Sequence, residues 1–220
     1  MGFFEYLRQI QAPKPTGILQ IGANTGQEIS IFHENAVDLA ILVEPQREQY
    51  EKLARKADGY NMYVPINALC AETSGEEYSL HVASNDGASS SLLEPTGHLT
   101  AFPSVKFSGT MTVNSHTVDD LMVMLGQTAL STHLGRIDTL YMDTQGSEYK
   151  ILLGAMKTLK QIKYIYMEYM RPGFYRNAKP LESYLNILEN LGFTLNNINF
   201  NLAHHSDALF VKKSLLGLQD

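Results

Sequence analysis

Tryptophan is absent from this 220-residue chain, and cysteine occurs once, as Cys70. One thiol cannot close an internal disulfide, and no CxxC or Cys/His spacing offers a zinc site. A reducing, cytoplasmic setting follows most simply. Basic runs are also missing: 17 Lys and Arg stand against 23 Asp and Glu, a formal net charge of −6. Non-specific binding to a phosphate backbone needs a basic stripe, so no nucleic-acid partner is expected. No apolar run approaches the roughly 18 residues of a membrane span. Residues 1–12 carry Glu5 and Arg8 and are too short for a secretory signal. They read as a short amphipathic helix, which Pro13 and Pro15 end. Repeats and low-complexity tracts are absent as well. What is left is one domain over residues 1–220, with 44% apolar residues to build its core.

Against these absences, one stretch stands out. Residues 18–21 form a short apolar run that stops at Gly22. Ala23, Asn24, Thr25, Gly26, Gln27 and Glu28 follow, and then a helical apolar period begins. This is a buried strand, a tight turn and a helix N-terminus. Such a turn lets a ligand lie against backbone N–H groups, with the helix dipole favouring a negative group. About twenty residues on, a second apolar run, 38–43, ends at Glu44 and Pro45. In nucleotide-binding α/β folds an acid at that strand end accepts hydrogen bonds from ribose hydroxyls. The alternatives are an ordinary strand–helix turn and a solvated strand-end acid.

After a polar helix over 46–57, residues 63–70 form the next apolar run, in which Pro65 suits a central strand poorly, so the strand may begin beyond it. Asn67 and Ala68 lie near its end; Asn67 could serve an adenine edge or simply form a turn. Residues 77–83 and 111–117 alternate polar and apolar, with a polar loop, 84–91, and a Pro- and Gly-rich stretch, 95–109, between them. Segment 71–117 therefore reads as an antiparallel insertion after the third strand, able to lie over a ligand crevice. Thr117 opens a helix that Gly126 breaks. Residues 137–142 are a strongly apolar strand ending at Asp143, and 164–167 another ending at Glu168. A helix over 181–191 closes at Gly192, and two alternating strands, 193–201 and 207–213, make an antiparallel hairpin around His204 and His205. Strand and helix alternate five times, which argues for a largely parallel sheet with helices on both faces.

Taken together and in order, Ile21-Gly22-Ala23-Asn24-Thr25-Gly26-Gln27, Val43-Glu44-Pro45, Asn67-Ala68-Leu69, Asp143-Thr144-Gln145-Gly146-Ser147-Glu148 and Asp207-Ala208-Leu209-Phe210-Val211-Lys212-Lys213 resemble the FkbM family of methyltransferases over residues 17–213. The resemblance implies a Rossmann-like, seven-stranded class I methyltransferase sheet, mostly parallel with an antiparallel last strand. It implies S-adenosyl-L-methionine as cofactor and O-methylation of a sugar, glycan or natural-product hydroxyl. Two positions depart from the family pattern, which usually has acids where this chain has Gln20 and Gln145. The first of those acids lies near the methionyl ammonium of the cofactor in related enzymes, so here another acid would have to compensate.

On this reading Gly22, Ala23, Asn24 and Gly26 form the cofactor turn, and Gln27 opens the helix beneath the methionine moiety. Glu44 takes the ribose hydroxyls, and Asn67 and Ala68 border the adenine. Asp143 faces the methionyl end or the acceptor and ranks first for catalytic work, with Glu168 second. Adjacent parallel strands lie roughly 4.8 Å apart, so both acids can reach one crevice. Glu148 is expected in the first turn of a helix, where the dipole favours it. Two acids without a third ligand are thin ground for a divalent metal, and none is expected. His98 and His116 are candidate bases in the insertion. Residues 170–176, with Arg171, Phe174, Tyr175 and Arg176, read as an acceptor-binding loop or a plain connector. A small-molecule or glycan acceptor is the expected partner, and a homodimer is possible. The competing readings are an NAD-dependent oxidoreductase, which would want a third glycine in phase after Gly22, and a non-catalytic binding module that keeps the fold.

Overall fold

A computed structural model describes residues 2–199 and 205–218. Helix α1 (Phe3–Gln9) precedes β1 (Gly17–Ile21), α2 (Ile29–Glu34), β2 (Leu39–Val43), α3 (Arg47–Ala57) and β3 (Tyr63–Ile66). An excursion follows: β4 (Leu69–Cys70), β5 (Glu77–Ala83), α4 (Gly97–Ala101) and β6 (Phe107–His116). The chain then returns through α5 (Val118–Leu125), β7 (Thr139–Met142), α6 (Glu148–Leu153), β8 (Tyr164–Met170), α7 (Leu181–Asn190), β9 (Phe193–Ile198) and β10 (His205–Lys212).

The main sheet has seven strands in the order β3-β2-β1-β7-β8-β10-β9. β1, β2, β3, β7 and β8 run parallel, and β10 runs antiparallel between β8 and β9. This is the expected arrangement, with its antiparallel last strand. Period-two alternation divides the core between the two faces. Leu19, Ile21, Ile41, Leu140 and Met167 join α5, α6 and α7 in one cluster, whereas Ile18, Ala40, Leu42 and Tyr166 join α1, α2 and α3 in another. Phe32 of α2 is 0% exposed in the second cluster, a burial worth about 2–3 kcal/mol. The expected N-terminal helix is present, with Phe3, Phe4, Tyr6 and Leu7 buried on that face.

The third apolar run splits where the sequence suggested one strand. β3 runs straight through Pro65, because it is the edge strand and no neighbour wants the missing N–H. At Asn67 the chain leaves the sheet, and β4 joins a separate three-stranded sheet, β4-β6-β5. There β5 and β6 are antiparallel, as expected of the insertion, but β4 lies parallel to β6. Helix α4 also went unread in the sequence, because Pro95, Gly97 and Pro103 hid a five-residue helix. Its His98 is 2% exposed. Helix α2 begins at Ile29, so Gln27 belongs to the turn and does not open the helix. His204 lies outside the described residues; His205 begins β10. Among the described residues no helix is long and apolar enough to cross a membrane.

Candidate functional site

The site forms where the carboxyl ends of β1, β2 and β7 meet. Gly22 follows β1 with φ of +82°, and a Cβ there would fall 1.9 Å from the Asp143 carbonyl oxygen. Only glycine lets the first turn pass so close to the end of β7. Gly22 and Ala23 then donate their N–H groups to Val43 O, each at 2.9 Å, tying the turn to the end of β2. Asn24, itself left-handed with φ of +43°, accepts from Thr25 N at 2.7 Å through its side chain. Its own N–H donates to Glu44 Oε2 at 2.9 Å.

Glu44 is the hinge of this corner. Its other oxygen accepts from Gln46 N at 2.8 Å and Gln46 Nε2 at 3.2 Å. The carboxyl is only 3% exposed. Burial pushes it up to about 7, while the Gln46 and Asn24 N–H bonds pull the other way. Asn67 does not reach the crevice; its Nδ2 donates to the carbonyls of Glu44 and Pro45 at 2.8 and 3.0 Å and so fixes the strand-end turn.

The insertion closes the top. Asn24 Nδ2 donates to Asp86 O at 3.0 Å, Gln46 Nε2 to Gly87 O at 3.3 Å, and Ser90 Oγ to Gln46 Oε1 at 3.0 Å. Beneath loop 84–91 lies a cavity of about 170 Å³. Past the ends of β2 and β3 its wall is apolar, with Pro45, Ala68 and Leu69, and toward β1 and β7 it holds Gly22, Gln27, Glu28 and Asp143; Glu44, Leu80 and Leu92 also line it. Cys70 lies in the wall, but burial pushes its thiol up to about 12, so it is no nucleophile. Of the expected cofactor residues, Gly22, Asn24, Gln27, Glu44, Ala68 and Asp143 line this cavity. Ala23 and Gly26 are not in its wall. Ala23 is 0% exposed in the core, and a Cβ on Gly26 would meet Ile29 and Leu53 side chains at 2.7 and 2.9 Å. Gly26 serves packing.

Beyond Asp143 lies a second polar group. Gln145, left-handed with φ of +56°, donates Nε2 to Asp143 Oδ1 at 3.0 Å and also to Glu168 Oε2. Tyr175 OH donates to Gln145 Oε1 at 3.1 Å and lies 3.0 Å from Ser89 O, joining the β8–α7 loop to the insertion. Burial, and then the neighbouring Asp143 carboxylate, raise Glu168 well above the usual carboxylate range. The two carboxyl groups are held side by side by the one Gln145 amide. His205 Nε2 stands 3.6 Å from Glu168 on its other side. Glu168 itself is outside the cavity wall, one residue-depth behind Asp143.

Glu148 is not at the ligand. It is 0% exposed and caps the turn after β7, accepting from Thr144 N, Thr144 Oγ1 and Gly146 N at 2.9, 2.9 and 3.3 Å. Burial pushes it up to about 7. His98 is packed among Phe102, Phe107, Phe174 and Tyr175 under the insertion and is not in the cavity wall. In the 170–176 loop, Phe174 and Tyr175 are turned inward at 5% and 0% exposure, and Arg176 pairs with Glu94 at 3.1 Å. The loop's aromatics hold the insertion down and offer no open face to a sugar. Among the described residues no group of three or more His, Cys, Asp or Glu could hold a metal ion.

Two contributors are not singled out by the sequence: Glu28, at the end of the glycine stretch, and Gln46, at the start of a polar helix. Tyr175, expected in an acceptor-binding loop or connector, instead braces the insertion. For Glu28 a signal existed: it sits two residues beyond Gly26, at the mouth of the turn.

The profile of the methyltransferase FkbM domain matches residues 20–195. The chain belongs to that family. Among curated proteins, the 2-O-methyltransferase NoeI of Sinorhizobium fredii is 25% identical over 186 residues, covering 81% of this chain and 73% of NoeI. Of solved structures, a protein of the NADB-Rossmann superfamily from Streptococcus agalactiae superposes with a TM-score of 0.50 at 11% identity, over 96% of this chain and 69% of that one. That likeness is of fold alone. The FkbM domain match takes in the glycine turn, Glu44, the insertion, Asp143 and Glu168, and so spans the whole cavity.

The cavity fits the cofactor that FkbM membership calls for. A ribose diol needs a buried acceptor beside N–H donors, which is Glu44; an adenine needs apolar walls, which lie beside it; and an aminoacyl tail needs polar partners, which fill the opposite end.

Proposed function

We propose that this protein transfers a methyl group from S-adenosyl-L-methionine to a hydroxyl of a sugar, glycan or natural-product acceptor. The observation that carries the reading is Glu44: a carboxyl 3% exposed, gripped by the N–H groups of Asn24 and Gln46, in the wall of a cavity with one apolar and one polar end. The similarity to NoeI, a 2-O-methyltransferase, supports oxygen as the methylated atom.

Bound S-adenosylmethionine would supply a methyl group activated on a sulfonium. The chain's own part is to hold, orient and dry the site, and to deal with one proton. Gly22, Asn24 and Glu44 hold the nucleoside from one side, and the loop of residues 84–91 excludes water from the other. A hydroxyl with a pKa far above neutral gains from a base as its oxygen becomes bonded to carbon. Asp143 is exposed at the cavity end and is the accepting group. Gln145 holds its Oδ1 and ties it to Glu168, which is not in the cavity wall.

Calorimetric titration with S-adenosylhomocysteine and with NAD tests the cofactor. Binding of the first and not the second is expected, and the reverse defeats the proposal. Transfer of labelled methyl from S-adenosylmethionine to members of a glycan and polyketide library then tests the acceptor. Cofactor binding with no transfer to any member would leave a binding module in place of an enzyme.

A further inference from the structure

The polar end of the cavity carries an arrangement that the ribose and adenine contacts leave unused. Glu28 lines the cavity between the glycine turn and α2. Gln20 on β1 is 0% exposed. Its Nε2 donates to Glu28 Oε2 at 2.8 Å, while its Oε1 is buried with no hydrogen-bond partner. A buried amide oxygen left unpaired costs about 1–3 kcal/mol, so a donor belongs there. Two carboxyl groups, Glu28 and Asp143, line this end. Burial raises Glu28, the Gln20 bond lowers it, and Asp143 raises it. Lys56 favours its ionised form, but the Lys56 ammonium is bonded to Gly26 O at 2.6 Å and not to Glu28.

We infer that Glu28 is the carboxylate that binds the ammonium of the cofactor's aminoacyl tail, with Gln20 as the residue that aims it. The inference rests on the cofactor reading above. With Glu44 and the apolar wall taking the nucleoside, the tail must run toward Gly22, Glu28 and Asp143. An ammonium brings three donors and one positive charge. It can meet Glu28 and Asp143 together, which removes their mutual repulsion. A strand-end acid at position 20 would place its charge inside the sheet; here Gln20 carries the hydrogen bond and Glu28 carries the charge.

The test needs no acceptor. Wild-type protein and Glu28→Gln are titrated with S-adenosylhomocysteine and with its desamino analogue, in which hydrogen replaces the amine. Gln at 28 still accepts the Gln20 bond, so only the charge is lost. Glu28→Gln should lose about 10- to 100-fold in affinity for S-adenosylhomocysteine, the range of a charged hydrogen bond, and bind the desamino analogue as wild type does. Moving the charge back, in the Gln20→Glu, Glu28→Gln double variant, should recover part of the loss. Equal losses for both ligands, or no loss for either, overturn the inference and leave the cofactor reading standing. Wild-type protein that binds neither ligand overturns the cofactor reading and the inference together.

Discussion

Gln145 Nε2 bridges Asp143, which follows β7, and Glu168, on the neighbouring β8, donating to one carboxyl oxygen of each. The amide thereby occupies Asp143 Oδ1 and leaves Oδ2 as the oxygen open to accept. In this geometry Asp143 can take a proton while Glu168 cannot act alone, because it lies behind the wall.

Asp143→Asn should lower methyl transfer at least tenfold, the usual scale of a lost general base. Glu168→Gln should lower it less, because its amide oxygen can still accept from Gln145 and the side chain is not in the cavity wall. Initial rates of labelled methyl transfer, with S-adenosylhomocysteine binding measured alongside, check this. Unchanged turnover in Asp143→Asn would remove it from the chemistry.

Glu44→Gln keeps the size of the side chain but gives up its charge-assisted bonds and turns an NH2 toward one of the two backbone N–H groups that donate to it. Affinity for S-adenosylhomocysteine should fall about 10- to 100-fold. Glu44→Ala should fall further and also lower the melting temperature, since Asn24 N and Gln46 N lose their buried acceptor. Calorimetry and thermal melts separate the two effects.

Stability should decrease as pH rises. Glu44 and Glu148 are each pushed by burial from 4.5 to about 7. The folded state therefore binds these protons more tightly than the unfolded state. Their stabilising effect is complete below about 4.5 and is lost as pH climbs through 7. Thermal melts of the ligand-free protein between pH 5 and 8 should show the decline. Glu148→Gln should flatten it, because the Oε1 bonds from Thr144 and Gly146 survive while the buried charge does not. A variant no more stable than wild type at pH 8 would show that Glu148 does not titrate in this range.

Tyr175→Phe removes the hydroxyl that joins Ser89 O to Gln145 Oε1. The single hydroxyl proton is lost, so one acceptor is left without its donor, a cost of about 1–3 kcal/mol. Amide exchange should quicken over residues 84–91, with the main sheet unaffected. Uniform exchange across the chain would mean the tyrosine supports the whole fold and not the cover.

The glycine turn, Glu44 and Asp143 could be read in the sequence because each is a local event: an apolar run stops, and a small or acidic residue follows. The largely parallel sheet could be read for the same reason, since strands that alternate with helices favour parallel pairing. Ala23, Gly26 and Asn67 share the motif yet turn to core or backbone. A motif fixes neighbourhood along the chain but not the direction a side chain takes. Pro65 misled in the same way, because whether a strand tolerates proline depends on whether it lies at an edge.

The sequence alone determined that this chain would build a mostly parallel sheet with a glycine turn and two strand-end acids, because period and punctuation are local properties of the backbone. Tertiary structure decided the pairings: Gln20 with Glu28, Gln145 with both Asp143 and Glu168, Tyr175 with Ser89. These join residues as far as 86 positions apart, and their meeting depends on how the insertion folds over the sheet edge, a balance of burial and hydrogen bonding that no single stretch encodes.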